Sequence, residues 1–147
     1  MKMKVVIVGG GWAGSGAAMA AKNAGADEVV VLERTDLLLG TGLVGGIMRN
    51  NGRFTATEEA IAMGANEIFE TIDANCRHKN INFPGHEHAS LYDIALIEPA
   101  IHNMLLNKGI EVKMQARMKD VKMDGQKITA VVLTDGQEIT GDVFLDC

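Results

Sequence analysis

Val5, Val6, Ile7 and Val8 form the first apolar cluster of the chain, four aliphatic residues with no polar alternation. A strand covered on both faces of a parallel sheet has this pattern. Glycines follow at once. From Gly14 the chain is Ala-rich through Asn23, which predicts a helix with a small face that can sit close to a sheet and a stop at Gly25. Val29, Val30, Val31 and Leu32 repeat the buried-strand pattern between Glu28 and Glu33. Strand, helix and strand then make a βαβ unit with the usual right-handed crossover.

Beyond Glu33 the pattern loosens. Residues 37–52 hold Gly40, Gly42, Gly45, Gly46 and Gly52 without a sustained period, which predicts an irregular loop approaching something closely, such as a ligand. Thr55 and Glu58 have capping-box spacing, and Ile61, Ala65, Ile68, Phe69 and Ile72 recur at helical intervals, so a helix is expected over about 56–76. Residues 77–90 are polar, carry Pro84-Gly85 and include His78, His86 and His88, the signs of a surface loop. The region 50–95 is thus expected to be a helix–loop insertion.

Glu98-Pro99 suits a helix start, with Ile101, Met104 and Leu105 as its apolar stripe, and a strand is expected over 110–118. Asp124-Gly125 and Asp135-Gly136 separate the β-rich runs 121–123, 128–134 and 138–140, predicting an antiparallel meander over 119–141. Val143, Phe144 and Leu145 make a last strand. The fold class expected is α/β: a Rossmann-like FAD/NAD(P)-binding fold, with a parallel sheet, crossover helices and a small antiparallel β-meander, in one domain over 1–147.

Composition narrows the partners. The 147 residues suffice for a core without disulfides or metals, and 47% apolar with 22% charged residues is the balance of a soluble globular protein. The formal charge of -5 comes without any block of Lys or Arg, so nucleic acid is not an expected partner. No apolar run approaches the roughly 20 residues of a membrane span. Cys76 and Cys147 lie far apart without CxxC spacing, which fits a reducing cytoplasm.

The candidate chemistry lies at the first glycines. Gly9-x-Gly11-x-x-Gly14 leaves a buried strand and opens a helix, and Glu33 stands nineteen residues past Gly14, at the end of the next strand. That is the arrangement of the dinucleotide fingerprint. Gly9 permits the tight turn, Gly11 lets the backbone approach a pyrophosphate, and Gly14 lets helix and strand pack closely. Unpaired amides of Trp12, Ala13 and Gly14 point at the anion from the positive end of the helix dipole. Glu33 can accept hydrogen bonds from both ribose hydroxyls, and its charge disfavours the 2′-phosphate of NADP.

The run Val6-Ile7-Val8-Gly9-Gly10-Gly11-Trp12-Ala13-Gly14-Ser15-Gly16-Ala17-Ala18, with Val31-Leu32-Glu33-Arg34, resembles the FAD-dependent oxidoreductases of the glutathione reductase-like superfamily. The loop Leu39-Gly40-Thr41-Gly42-Leu43-Val44-Gly45-Gly46 is similar to that of one family within it. The resemblance implies FAD as cofactor, with Gly40, Thr41 and Gly42 along the flavin's phosphates and ribitol. It further implies Glu33 and Arg34 beside the adenosine ribose, and Ala116, Arg117 and Met118 against the adenine. It covers most of the chain, with 50–93 matching only loosely. In the family the last strand runs into a Thr-Gly pair and a substrate domain follows. Neither occurs here, so the sequence is read as the truncated nucleotide-binding part of a longer enzyme that moves a hydride or electrons on a small organic molecule.

Two other functions fit the same residues: an NAD-dependent dehydrogenase domain, and a non-catalytic adenine-nucleotide-binding or subunit module. Cys76, His78, His86 and His88 are potential zinc ligands, but a helix end and a polar loop explain them as well, and no metal is expected. Cys147 reads as packing, and Tyr92, Asp93 and Glu98 lack a nucleophile to serve, so no catalytic residue is assigned. An uncovered last strand implies exposed apolar surface and self-association into a homo-oligomer.

Overall fold

The computed structural model describes residues 2–47, 49–51 and 66–147. β1 (Lys4–Val8) lies at the centre of a parallel sheet, paired with β2 (Glu28–Leu32) on one side and β10 (Val143–Asp146) on the other. β6 (Glu111–Lys113) pairs parallel with β2, which makes the strand order β10-β1-β2-β6. The unalternating apolar runs now have their reason. Val5, Ile7, Val29 and Val31 face one way, into a core with Ala18 and Met19 of α1 (Trp12–Asn23) and Ile97, Ile101 and Leu105 of α3 (Ile94–Asn107). Val6, Val30 and Leu32 face the other way, against Val131, Leu133 and Ile139.

Those last residues belong to the expected meander, β7 (Met118–Asp124), β8 (Lys127–Leu133) and β9 (Glu138–Thr140), antiparallel in that order. Each fully buried Val, Ile or Leu contributes about 1.5–3 kcal/mol. A sheet covered on both sides is therefore held much more firmly than a one-faced sheet.

Over residues 56–118 the structure departs from the sequence reading in several places. The helix expected over 56–76 is described only from α2 (Asn66–Ala74), and the capping pair Thr55 and Glu58 lies outside the described residues. Cys76 opens β4 (Cys76–Phe83) rather than closing a helix. The expected surface loop 77–90 is instead a hairpin of β4 with β5 (His86–Tyr92), turning on Pro84-Gly85 with Gly85 at φ 83°. Register shifts between Cys76 and His78, His78 and Ile81, and Ile81 and Phe83 break the two-residue alternation by which a strand is recognised. β3 (Arg49–Asn51) pairs antiparallel with β5 to complete this second sheet.

α3 begins at Ile94, not at Pro99. The Asp93 carboxylate accepts the Ala95 amide at 2.9 Å as its cap, leaving Pro99 inside the helix. The strand expected over 110–118 stops at Lys113; Gln115 turns at φ 56°, and Met118 starts β7 in another sheet.

Candidate functional site

The carboxyl ends of β1, β2 and β10 open onto a groove of about 850 Å³. Gly9 leaves β1 at φ 105° while its amide donates to the Leu32 carbonyl at 2.8 Å, so the turn stays tied to β2. A Cβ on Gly14 would meet the backbone carbonyl of Gly9, which is why helix and turn approach as closely as they do. A Cβ on Gly10 would lie 2.7 Å from Leu38 Cδ2 and 3.1 Å from Glu33 Cβ. Gly11 differs: a Cβ there meets nothing within 4 Å and points into open space. α1 starts directly behind it with no side-chain cap and no acidic residue in its first turn. The first-turn amides at Trp12, Ala13 and Gly14 have no acceptor within the helix by virtue of their position.

Glu33 is 5% exposed and held from several sides. Its Oε2 accepts the Gly10 amide at 2.8 Å; its Oε1 accepts the Thr35 amide at 2.7 Å and lies 2.8 Å from the Thr35 hydroxyl. A carboxylate has about four acceptor positions; the two backbone amides take one on each oxygen, the Thr35 hydroxyl shares its one proton between Oε1 and the Leu37 carbonyl, also at 2.8 Å, and Oε2 keeps a free position. The Ala116 amide donates to the Glu33 carbonyl at 2.8 Å, bringing Arg117 and Met118 to the same rim.

The opposite wall is the loop at 40–47, which includes a 3-10 turn, Gly40–Gly42. Leu39 enters it in the left-handed region at φ 68°, held there by burial of Leu38 and Leu39 and by its amide on the Gly10 carbonyl at 2.8 Å. A Cβ on Gly40 would be 3.5 Å from Gly11 Cα, so the loop lies against the glycine turn. Of the residues expected at the cofactor, Gly9, Gly11, Trp12, Ala13, Glu33, Arg34, Gly40, Thr41, Arg117 and Met118 line the groove. Gly14 and Gly42 are buried beneath it. Val44 and Gly45, from the glycine-rich loop expected to approach a ligand, line it too, as do Val8, Leu32, Thr35, Asp146 and Cys147, which were not singled out from the sequence as its contacts. The signal available for Thr35 was its place two residues beyond Glu33, at the end of a strand, where a short hydroxyl readily bonds back.

Tyr92, considered above only as an acid or base, is buried under the loop. Its hydroxyl oxygen lies 2.9 Å from the Ile47 carbonyl and 3.1 Å from that of Gly42. Its ring meets Trp12 edge-on, with centroids 5.8 Å apart and planes at 69°. Burial pushes the phenol up to about 12, against a hydrogen bond from Trp12 that lowers it and a small raising effect of Cys76, so it stays a protonated donor. Burial, then Asp73, raise the Cys76 thiol while Lys79 opposes them. Among the described residues no three of His, Cys, Asp and Glu come together as a metal site, and no helix is long and apolar enough to cross a membrane.

A family model described as FAD dependent oxidoreductase matches residues 4–147. The chain belongs to this family. No curated protein matches the sequence. Among solved structures, this member of the FAD-dependent oxidoreductases is similar to the Diels-Alderase of the pyrroindomycin pathway, with TM-score 0.67 and 22% identity over 98% of this chain and 32% of that one. It is also similar to a glycine oxidase from Bacillus cereus, with TM-score 0.66 and 14% identity over 99% of this chain and 55% of that one. A ferredoxin reductase from Rhodopseudomonas palustris gives TM-score 0.58 and 18% identity over 99% of this chain and 24% of that one. The chain spans between a quarter and about half the length of these structures. Identities this low carry the fold, and three such different named activities show that the fold alone does not select a reaction.

Proposed function

We propose that the groove binds FAD through its ADP half, and that the protein uses the flavin to transfer a hydride or electrons to or from a small organic substrate. The carrying observation is the pairing of the open floor at Gly11 with the uncapped start of α1. There, phosphate oxygens reach free backbone amides, with no side chain in the way and with the helix dipole favouring the charge. The residues present fit the group: Trp12, Ala13, Gly40 and Thr41 flank the pyrophosphate position, while Glu33 offers its free Oε2 acceptor to a ribose hydroxyl beside Arg34. Ala116, Arg117 and Met118 form the adenine rim. The flavin supplies the redox chemistry; the chain binds and orients it.

The same carboxylate opposes a 2′-phosphate, so NADP is a poor ligand here. The two free thiols, Cys76 and Cys147, suit a reducing cytoplasm. Val143 and Leu145, exposed by 40% and 37% on the outer strand β10, support self-association along that edge.

Equilibrium titration followed by flavin fluorescence, with ADP, NAD and NADP as competitors, tests the ligand. Saturable FAD binding displaced by ADP and not by NADP is expected. NAD displacing FAD at lower concentration than ADP would instead favour a nicotinamide dehydrogenase.

A further inference from the structure

We propose that Tyr92 is the positioning residue that holds the loop at 40–47 against the cofactor groove, by bridging both limbs of that loop and locking them to Trp12. The assignment rests on the reading of the groove as the FAD site.

Tyr92 is the last residue of β5 and is 3% exposed. Its hydroxyl reaches the carbonyls of Gly42 and Ile47, residues at the start and end of the loop's curl, and shares one proton between them. The loop closes its own backbone around this point, the Gly45 amide donating to the Gly40 carbonyl at 3.0 Å and the Ile47 amide to that of Thr41 at 3.1 Å. Trp12 and Tyr92 fill the space beside Gly42 so fully that a Cβ there would stand 2.6 Å from Trp12 Nε1 and 2.6 Å from the Tyr92 hydroxyl. Trp12 is also the first residue of α1, at the proposed phosphate position. Through Tyr92 the end of β5 is thereby tied to the loop that supplies Gly40, Thr41, Val44 and Gly45 to the groove wall.

Tyr92→Phe keeps the ring packing on Trp12 and removes only the hydroxyl, leaving two loop carbonyls without their donor. The expected result is FAD binding weakened by about tenfold, the size of one hydrogen bond to a positioned loop. AMP, which reaches the Glu33 and Arg117 end and lacks the second phosphate, binds within about twofold of wild type on the same reasoning. Amide hydrogen exchange of the unliganded chain gives a readout independent of the cofactor. Faster exchange at Gly45 and Ile47 is expected, with Val30 and Val31 unchanged, as is a shift in the emission of Trp12, the chain's one tryptophan. Gly42→Ala disturbs the same lock from the loop side and is expected to reproduce the pattern with Tyr92 intact. Unchanged exchange at Gly45 and Ile47 in Tyr92→Phe overturns the proposal, as does a uniform loss of protection extending to Val30 and Val31. If wild type binds neither FAD nor AMP, the cofactor reading fails, and the exchange data still decide whether Tyr92 holds the loop.

Discussion

The Glu33 carboxylate accepts the Gly10 amide at 2.8 Å, joining the end of β2 to the middle of the glycine turn that leaves β1. Because Thr35 donates to the other oxygen, the acid is part of the turn's framework before any ligand arrives. Glu33→Gln sets an amide NH2 against one of these donors. A buried donor left unmatched costs about 1–3 kcal/mol, so the melting temperature of the unliganded chain is expected to fall on the order of 5 °C. An unchanged melting temperature, read by calorimetry, would restrict Glu33 to a ligand role.

How far the site could be read beforehand follows from such contacts. The turn built from Gly9, Gly11, Gly14 and Glu33 was legible because each is placed by its neighbours along a strand–turn–helix path, where spacing maps directly onto geometry. Val5–Val8 and Val29–Leu32 were legible because both sheet faces are covered. The β4–β5 hairpin was not, since its bulges erase the alternation. Pro99 misled because Asp93 had already capped the helix. Tyr92 could not be placed under the loop, since its hydroxyl partners lie 50 and 45 residues away in the chain.

Two glycines of α1 are expected to respond oppositely to the same change. Gly14→Ala drives a methyl group into the Gly9 carbonyl, an overpacking that costs about 1–3 kcal/mol because backbone cannot yield cheaply. Gly16→Ala places its methyl 4.0 Å from Ile68 Cδ1, and gains up to about 1 kcal/mol of helix propensity. Urea unfolding of the two variants checks the ordering; destabilisation of both would mean that α1 packs more tightly on its neighbours than described.

Asp93 gives the fold an acid-sensitive joint. Its carboxylate meets Arg77 Nε at 2.6 Å and caps α3, and the Arg77 hydrogen bond first, with the Ala95 amide second, holds it below its ordinary value of 3.8. A lowered folded value means that the stabilisation is present above 3.8 and is lost as pH falls through the lowered value. Asp93→Asn keeps an acceptor for the cap and removes the titration. The stability advantage of wild type over this variant is expected to be complete at neutral pH and to disappear in acid. An advantage that is constant with pH would contradict the assignment.

The two thiols report on the groove. Cys147 is exposed on its lining, whereas Cys76 is half-buried, raised by burial, and donates to the Ile72 carbonyl at 3.2 Å. Alkylation proceeds through the thiolate, so Cys147 is expected to react first. Saturating FAD is expected to slow Cys147 and leave Cys76 unchanged, as measured by peptide mass spectrometry. Equal slowing of both would point to a global change rather than a ligand in the groove.

The central claim is that open space above Gly11 is where the pyrophosphate sits. Titration of wild type and Gly11→Val with FAD, followed by flavin fluorescence and paired with a melting curve for each, tests it most directly. Gly11 lines the groove and a Cβ there meets nothing within 4 Å, so the expected result is a chain that still folds, with FAD binding weakened at least on the order of a hundredfold, the cost of about 3 kcal/mol of lost phosphate contacts. Equal affinity in a folded Gly11→Val chain would contradict the site.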